Sequence, residues 1–493
     1  MNFVSFEFAV FLAVVYLLHW SCRHAGTRKL LLTIASYVFY AVWNWRFCFL
    51  MLFVTVNAFA AGQMLARATR PSRKAVLAAS IGIDLAILGF FKYYDFFLSN
   101  VAAALADLGV SASQPVLRII LPVGISFYTF HAVSYVVDVY RGKVEPEPSF
   151  VNIALYISFF PQLIAGPIVR ASFILPQIRH LRSFSPAQQA TGVRLLLRGF
   201  IYKAVIADTL AQIADPVFAH VEHYDAHALV TATVAFYGQI YFDFAGYSSM
   251  AIGTARLFGY RFPPNFNYPY RAASVTEFWR RWHMSLSFWL RDYLYIPLGG
   301  NRGGTLFVCR NLMITMLLGG LWHGAGWNYV VWGALHGGGL CANKLWREAG
   351  RRLPMSIDVR GGRHIAALVL TQLWVMLAWV FFRCDSAPQA TELLAGFSVC
   401  GLTRARRCSR SRAGFSRLSE SITCLGALAS GCCCRRDGLG RSRGAGSAPC
   451  SPSGSRRCRS YRNRSSTSSS EAVHPAASQM TLSRAWRCLT WTA

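Results

Sequence analysis

Along this chain, long apolar runs alternate with short basic segments. The runs 3–20, 30–45, 47–66, 76–98, 119–140, 227–258 and 365–382 approach or exceed the roughly 20 residues that carry a helix across a bilayer core. None alternates apolar and polar positions as a barrel strand would. Lipid offers no partner for open backbone groups, so the runs predict membrane-spanning helices and an all-α polytopic membrane protein. The first run does not read as a secretory signal, because Glu7 stands where a basic segment belongs and no small-residue cleavage site follows Trp20.

Between residues 260 and 340 the pattern changes. Ser274 followed by Glu277 reads as a helix start with a capping box. Phe278, Trp282, Leu286, Trp289 and Tyr293 then recur at helical spacing, which puts one aromatic stripe on a single face. With Arg280, Arg281 and Arg291 elsewhere on it, this helix is expected to lie at the membrane interface rather than to cross. A Gly-rich turn from Pro297 to Gly304 follows, and then an apolar stretch from about 306 to 341 that is too long for one straight span. It is punctuated by Gly319-Gly320-Leu321-Trp322-His323-Gly324-Ala325-Gly326-Trp327. Such a segment either interrupts a helix or lets neighbouring helices approach closely. Irregular backbone at membrane depth occurs only where protein buries it or a cavity adjoins it, so His323 is expected to face a cavity.

Composition agrees with the pattern: 54% of residues are hydrophobic and 14% charged, against about 25% charged in soluble domains. The formal charge of +29 would suit nucleic acid, but the Lys and Arg are spread over short loops and read as topology signals. With the N-terminus outside, Arg23, Arg28, Lys29, Arg67, Arg70, Arg73, Lys74, Arg141 and Lys143 fall on the cytoplasmic side, and Arg46 and Arg118 on the other. That asymmetry predicts an external N-terminus and five spans before residue 141.

Composition shifts again near residue 396. The last 98 residues hold nine of the 14 Cys, 20 Ser and 17 Arg, and no Lys. Cys432, Cys433 and Cys434 are consecutive, and the other Cys of this segment lack ligand spacing, so neither a disulfide scaffold nor a zinc module is indicated. Residues 1–395 read as the membrane domain. Residues 396–493 read as a functionless tail, either disordered or translated in a wrong frame that replaces authentic C-terminal spans.

An ionisable group inside a membrane segment is costly and marks function by default. His323 is the first candidate catalytic group, with a structural hydrogen-bond partner as its alternative. His283 is the second, with an amphipathic surface position as its alternative. His336 would point nearly opposite to His323 on an unbroken helix of 3.6 residues per turn. His131, on a predicted span, would line a substrate path. His19, His24, His180, His220, His223, His227 and His364 belong to no motif. No metal site is indicated, because Cys22, Cys48, Cys309, Cys341 and Cys384 are isolated.

Taken together, these blocks resemble the membrane-bound O-acyltransferase superfamily, and within it the bacterial branch that serves alginate and teichoic-acid systems. The resemblance covers about 1–395. It rests on Leu121-Pro122-Val123-Gly124-Ile125-Ser126-Phe127-Tyr128-Thr129-Phe130, on Phe159-Phe160-Pro161-Gln162-Leu163-Ile164-Ala165-Gly166-Pro167-Ile168, on Asp243-Phe244-Ala245-Gly246-Tyr247-Ser248 and on the two His blocks. It implies a multi-helix bundle with re-entrant and interfacial helices around a central cavity. It also implies an inner-membrane enzyme that moves acetyl groups from cytoplasmic acetyl-CoA to an extracytoplasmic polysaccharide, directly or through a periplasmic O-acetylation protein. No cofactor would be held permanently, and no nucleic acid bound.

In that family's pattern His323 matches the principal catalytic His and His283 the second polar position, which would orient or polarise the thioester carbonyl. His131 departs from it, since Gln is expected there. A neutral imidazole can accept a hydroxyl proton at working pH, so His323 is expected to act as general base or as a transient acyl carrier. Arg280, Arg281, Arg291, Arg302 and Arg310 would meet the phosphates of CoA, or else simply obey the positive-inside rule. The rival reading is a transporter or channel with an intramembrane His. It lacks support from a second copy of either His block or from an acidic relay in consecutive spans.

Overall fold

The computed structural model describes residues 2–110, 119–164, 166–352 and 360–397. Arg118 and the segment from 398, with the shifted-frame reading of the tail, lie outside them. The last described helix is Ala387–Gly396.

Every apolar run is helical: Phe6–Ser21, Ala25–Asn44, Arg46–Arg67, Arg70–Asp107, Ile125–Tyr140, Ala226–Leu257 and Arg360–Arg383. No strand occurs among the described residues. Arg46–Arg67, Pro71–Asp107, Thr305–His323 and His364–Arg383 are long and apolar enough to cross a bilayer, and Phe6–Ser21 is a shorter apolar helix. Phe49, Phe53, Leu85, Phe90, Leu370 and Leu373 stand exposed on these helices. So much outward apolar surface suits lipid rather than water. The chain is a multi-pass membrane protein.

The run 119–140 differs from the others. Its helix begins only at Ile125, and every residue from there to Val139 is buried. It has no face left for lipid and forms an inner element of the bundle.

The basic loops share one end of the bundle. Arg28 Nη1 donates to the Arg182 carbonyl at 2.7 Å, Arg73 Nη2 to that of Tyr140 at 3.1 Å and Arg141 Nη1 to that of Asp292 at 3.0 Å. Arg179 pairs with Glu147 at 2.7 Å. Contacts at the other end link Arg383 to Asp215 at 2.8 Å, Asn328 to the Cys384 carbonyl at 2.8 Å and Trp327 to Asn100 at 2.9 Å.

The stretch from 306 to 341 breaks into Thr305–His323 and Trp327–Arg352, with Gly324 extended at φ −166°. Its glycines both interrupt the helix and let the two halves approach. Beyond the break, the helices pack so tightly that a Cβ on Gly320 would collide with the Tyr329 carbonyl oxygen, and one on Gly333 with that of Met316. Only glycine permits that approach.

Candidate active site

The block expected to be one helix is two. Ser274 caps Val275–Arg281 by accepting from the Glu277 amide at 3.1 Å, while the Glu277 carboxylate accepts from the Ala273 amide at 3.0 Å. The helix then stops. Trp282 is extended, His283 takes the left-handed conformation at φ +40°, and Met284–Leu290 starts afresh. The continuous stripe is therefore a correction: Phe278 and Trp282 join one buried cluster, and Leu286 another with Phe127, Phe130 and Trp322. Left-handed backbone costs a non-glycine residue roughly 1–2 kcal/mol. The Met284 amide on the Asn265 carbonyl at 2.8 Å and the Ser285 amide on Asn265 Oδ1 at 3.2 Å offset it.

Asn265 also decides the chemistry of His283. Its Oδ1 accepts from the Ser285 amide, which can only donate, and from Ser285 Oγ at 2.8 Å, while its Nδ2 donates to Ser248 Oγ at 3.1 Å. His283 Nδ1, 3.1 Å from that same oxygen, must then carry the hydrogen. A neutral His283 is left with Nε2 as an acceptor. The ring is buried at 1% exposure, edge-on to Phe244 at 4.6 Å, and Nε2 makes no hydrogen bond.

His323 ends the helix Thr305–His323 and is also buried. Its ring sits among Trp322 at 4.7 Å, Trp332 at 4.9 Å and Phe382 at 5.2 Å. His283 lies 6.4 Å from the Trp322 ring, and the two imidazoles are within electrostatic reach of each other. The fold thus brings together two His separated by 40 residues of chain.

Three motif blocks surround them. From the first, Phe127 and Phe130 pack on Trp322 at 6.2 and 5.2 Å. From the second, the Ile168 amide donates to Ser285 Oγ at 3.0 Å. The third supplies Phe244 and Ser248.

Lys92 is a further member of the site that motif and spacing did not single out. It is buried on the helix Arg70–Asp107, donates to the Trp322 carbonyl and approaches Ser126 Oγ at 3.4 Å, while Tyr93 donates to the Leu321 carbonyl at 2.7 Å. The last carbonyls of a helix lack intrahelical partners, so an Nζ donor there satisfies one of them. A Lys inside the run 76–98 was the signal that could have found it. Asn265 gave no such signal, because its role exists only through contacts with Ser248, His283 and Ser285.

The helix is broken between His323 and His336, so their spacing does not set their relative faces; Trp332 touches both rings, 4.9 Å from His323 and 4.8 Å from His336. His336 Nδ1 accepts from Trp279 Nε1 at 3.2 Å. His131 is fully buried, 5.4 Å from Tyr156, with neither ring nitrogen hydrogen bonded. The five arginines are not joined to each other. Arg281 pairs with Glu277 at 2.7 Å, Arg291 with Asp292 at 2.6 Å, and Arg310 donates to Asn311 at 3.0 Å. Arg280 and Arg302 are exposed. Asp292 also holds Arg170 at 2.6 Å. Burial raises its carboxyl, but the hydrogen bond from Arg291 and the charge of Arg170 outweigh that and hold it below its ordinary value.

Comparison with known proteins gives the family. The model of the MBOAT, membrane-bound O-acyltransferase family, matches residues 144–386, a range that includes both His blocks. The chain is 43% identical over 395 residues to the probable alginate O-acetylase AlgI of Azotobacter vinelandii, covering 80% of this chain and 76% of that one. It is 44% identical over 370 residues to the probable alginate O-acetylase AlgI of Pseudomonas aeruginosa, covering 74% and 69%. With the peptidoglycan O-acetyltransferase of Helicobacter pylori it shares 36% identity over 411 residues, covering 76% of each. Matches of that extent, with the two His blocks folded into one buried site, place this chain in the membrane-bound O-acyltransferase family.

Proposed function

We propose that this membrane O-acetyltransferase moves acetyl groups from acetyl-CoA on the cytoplasmic side to hydroxyls of an extracytoplasmic polysaccharide of the alginate type. The observation that carries the reading is the convergence of His283 and His323 between aromatic walls, with His283 Nε2 left open as an acceptor. His323 acts as general base. It takes the proton of the acceptor hydroxyl as that oxygen bonds to the thioester carbonyl carbon; the C–S bond then breaks, and the imidazolium returns the proton to the departing thiolate. The neutral tautomer of His283 cannot donate to the thioester carbonyl through Nε2, so its role is to accept from a second hydroxyl of the acceptor and hold the attacking one in place for His323. Aromatic walls exclude water, which would otherwise compete as acyl acceptor.

The orientation follows the charge. The end carrying Arg28, Arg73, Arg141 and Arg179 faces the cytoplasm, the N-terminus lies in the periplasm, and the membrane is the bacterial inner membrane. Arg280 and Arg302 are the arginines best left to meet the phosphates of CoA; a periplasmic protein that relays the acetyl group fits the same site. Membranes carrying the full chain, given acetyl-labelled CoA and deacetylated alginate, should transfer label to the polymer. Failure to do so with a competent periplasmic fraction present would refute the acceptor assignment.

A further inference from the structure

At the end of the bundle where Arg383 meets Asp215, three metal-ligating side chains converge on one turn. The helix Asp208–Ala219 gives way to the 3₁₀ turn Val221–His223, and the helix Ala226–Leu257 follows. With three residues per turn, side chains at i and i+3 stand over one another. His220 and His223 have that spacing, and their rings stack at 5.5 Å with 29° between their planes. Glu222 reaches the same point: its Oε1 lies 3.7 Å from His220 Nδ1 and 3.8 Å from His223 Nε2. The ligand atoms of all three lie within 4.8 Å of one another, and all three side chains are exposed.

The backbone beneath these side chains is fixed from below and on both sides. Val221, between the two His, is buried in one apolar cluster with Phe218, Leu229 and Leu393. The His223 amide donates to the His220 carbonyl at 3.1 Å. Before the turn, Gln389 Nε2 donates to the Phe218 carbonyl at 2.8 Å; after it, Asp225 accepts from the Ala228 amide at 2.9 Å and starts the next helix. A frame set in advance lowers the ordering cost of binding.

Neither contact of Glu222 is a hydrogen bond, since such bonds to nitrogen span about 2.7–3.2 Å. Among the described residues no Lys or Arg pairs with it. The spacing fits a metal ion instead. Zinc sits about 2.0–2.2 Å from imidazole nitrogen and carboxylate oxygen, so two of its tetrahedral ligands stand about 3.4 Å apart. Closing 3.7 or 3.8 Å to that separation asks only a few tenths of an ångström of exposed side chains. Two imidazoles with one carboxylate suit zinc and its transition-row neighbours, whereas calcium and magnesium prefer oxygen throughout.

We infer that His220, Glu222 and His223 bind a divalent transition-metal ion of the zinc class through Nδ1, Oε1 and Nε2. Three protein ligands leave the fourth tetrahedral position to water or to a carboxylate from outside the chain. The site uses none of the isolated cysteines from which the sequence was read as lacking a metal centre. It lies on elements other than those carrying His283 and His323, so it is separate from the acyl-transfer chemistry.

The test offers Zn²⁺ alone to the purified full chain in neutral detergent, after its thiols are alkylated so that cysteines do not compete. Diethyl pyrocarbonate then labels reactive imidazoles, and mass spectrometry reads each His separately. Zn²⁺ should protect His220 and His223 together, over one concentration range, while His24 and His180, exposed beside the basic loops, stay reactive. Mg²⁺ at the same concentrations should protect neither. His220→Ala should raise the Zn²⁺ needed to protect His223 at least tenfold, and Glu222→Gln should raise it for both His. Even the partners that support a metal ligand are worth roughly 10–100-fold in affinity. The substituted side chains are exposed, so the fold does not hinge on them. No protection, protection of only one of the two His, or protection that His220→Ala and Glu222→Gln leave unchanged would each overturn the assignment. So would equal protection by Mg²⁺, or equal protection of His24 and His180.

Discussion

Nζ of Lys92 donates to the carbonyl oxygen of Trp322, the residue directly before His323. Together with Tyr93 on the Leu321 carbonyl, this contact caps the broken end of the helix Thr305–His323. It holds that end where the His323 ring meets Trp332 and Phe382.

Lys92→Met removes the cap and leaves a buried carbonyl unsatisfied, at a cost of about 1–3 kcal/mol. Thermal unfolding in detergent should show a lower Tm, and acetyl transfer should fall more than the loss of folded protein accounts for. Transfer that tracks folded protein alone would make Lys92 a purely structural residue.

His323→Ala should lower acetyl transfer by roughly 10²–10⁴-fold, the usual cost of losing a general base, with insertion in the membrane unchanged. His336→Phe separates chemistry from packing. It discards the bond from Trp279 but keeps a planar ring against Phe278 and Trp332, so most of the activity should remain. Equal losses in the two variants would contradict a catalytic His323 and a structural His336.

Asn265→Leu leaves His283 without the oxygen that sets its tautomer. Removing the orienting partner of a catalytic His costs up to roughly 10⁴-fold, and a large loss of acetyl transfer is expected for Asn265→Leu. Combining it with His283→Ala should add little further loss, because the two act as one unit. Additive losses would mean that Asn265 serves some other purpose.

Gly320→Ala and Gly333→Ala each drive a methyl group into a backbone carbonyl of the facing helix. Overpacking costs typically 1–3 kcal/mol or more. Gly338→Ala, whose Cβ would meet nothing within 4 Å, is the control and should leave Tm unchanged.

Asp292 carries a pH signature. Its folded carboxyl lies below the ordinary value of 3.8, so its stabilisation is fully present above about 4 and is lost as pH falls through the lower folded value. Asp292→Asn should therefore reduce Tm at neutral pH, where Arg170 and Arg291 lose their partner. The gap to wild type should narrow only below about pH 4. A gap that stays constant through acidification would show that the carboxylate charge is not what matters.

The sequence by itself determined what depends on neighbours along the chain. Apolar runs of membrane length announced the helices, since lipid leaves the backbone no other way to satisfy itself. The glycines from Gly319 to Gly326 announced the break, and Ser274 with Glu277 announced a helix start. His323 was legible because a polar group amid apolar residues is expensive wherever the fold puts it. Helical periodicity failed at Trp282 and His283, where the left-handed turn is stabilised by Asn265, a partner that spacing along a helix cannot reveal. The same limit applies to His336, which spacing would set opposite to His323 only on an unbroken helix, and to the helix Ile125–Tyr140, which composition made one more membrane span and which is buried all round. Which tautomer His283 adopts, that Lys92 caps the helix before His323, and that Arg28 donates to the Arg182 carbonyl are tertiary facts. Each depends on hydrogen bonds and charges between segments tens to hundreds of residues apart, and those distances are settled only when the helices pack.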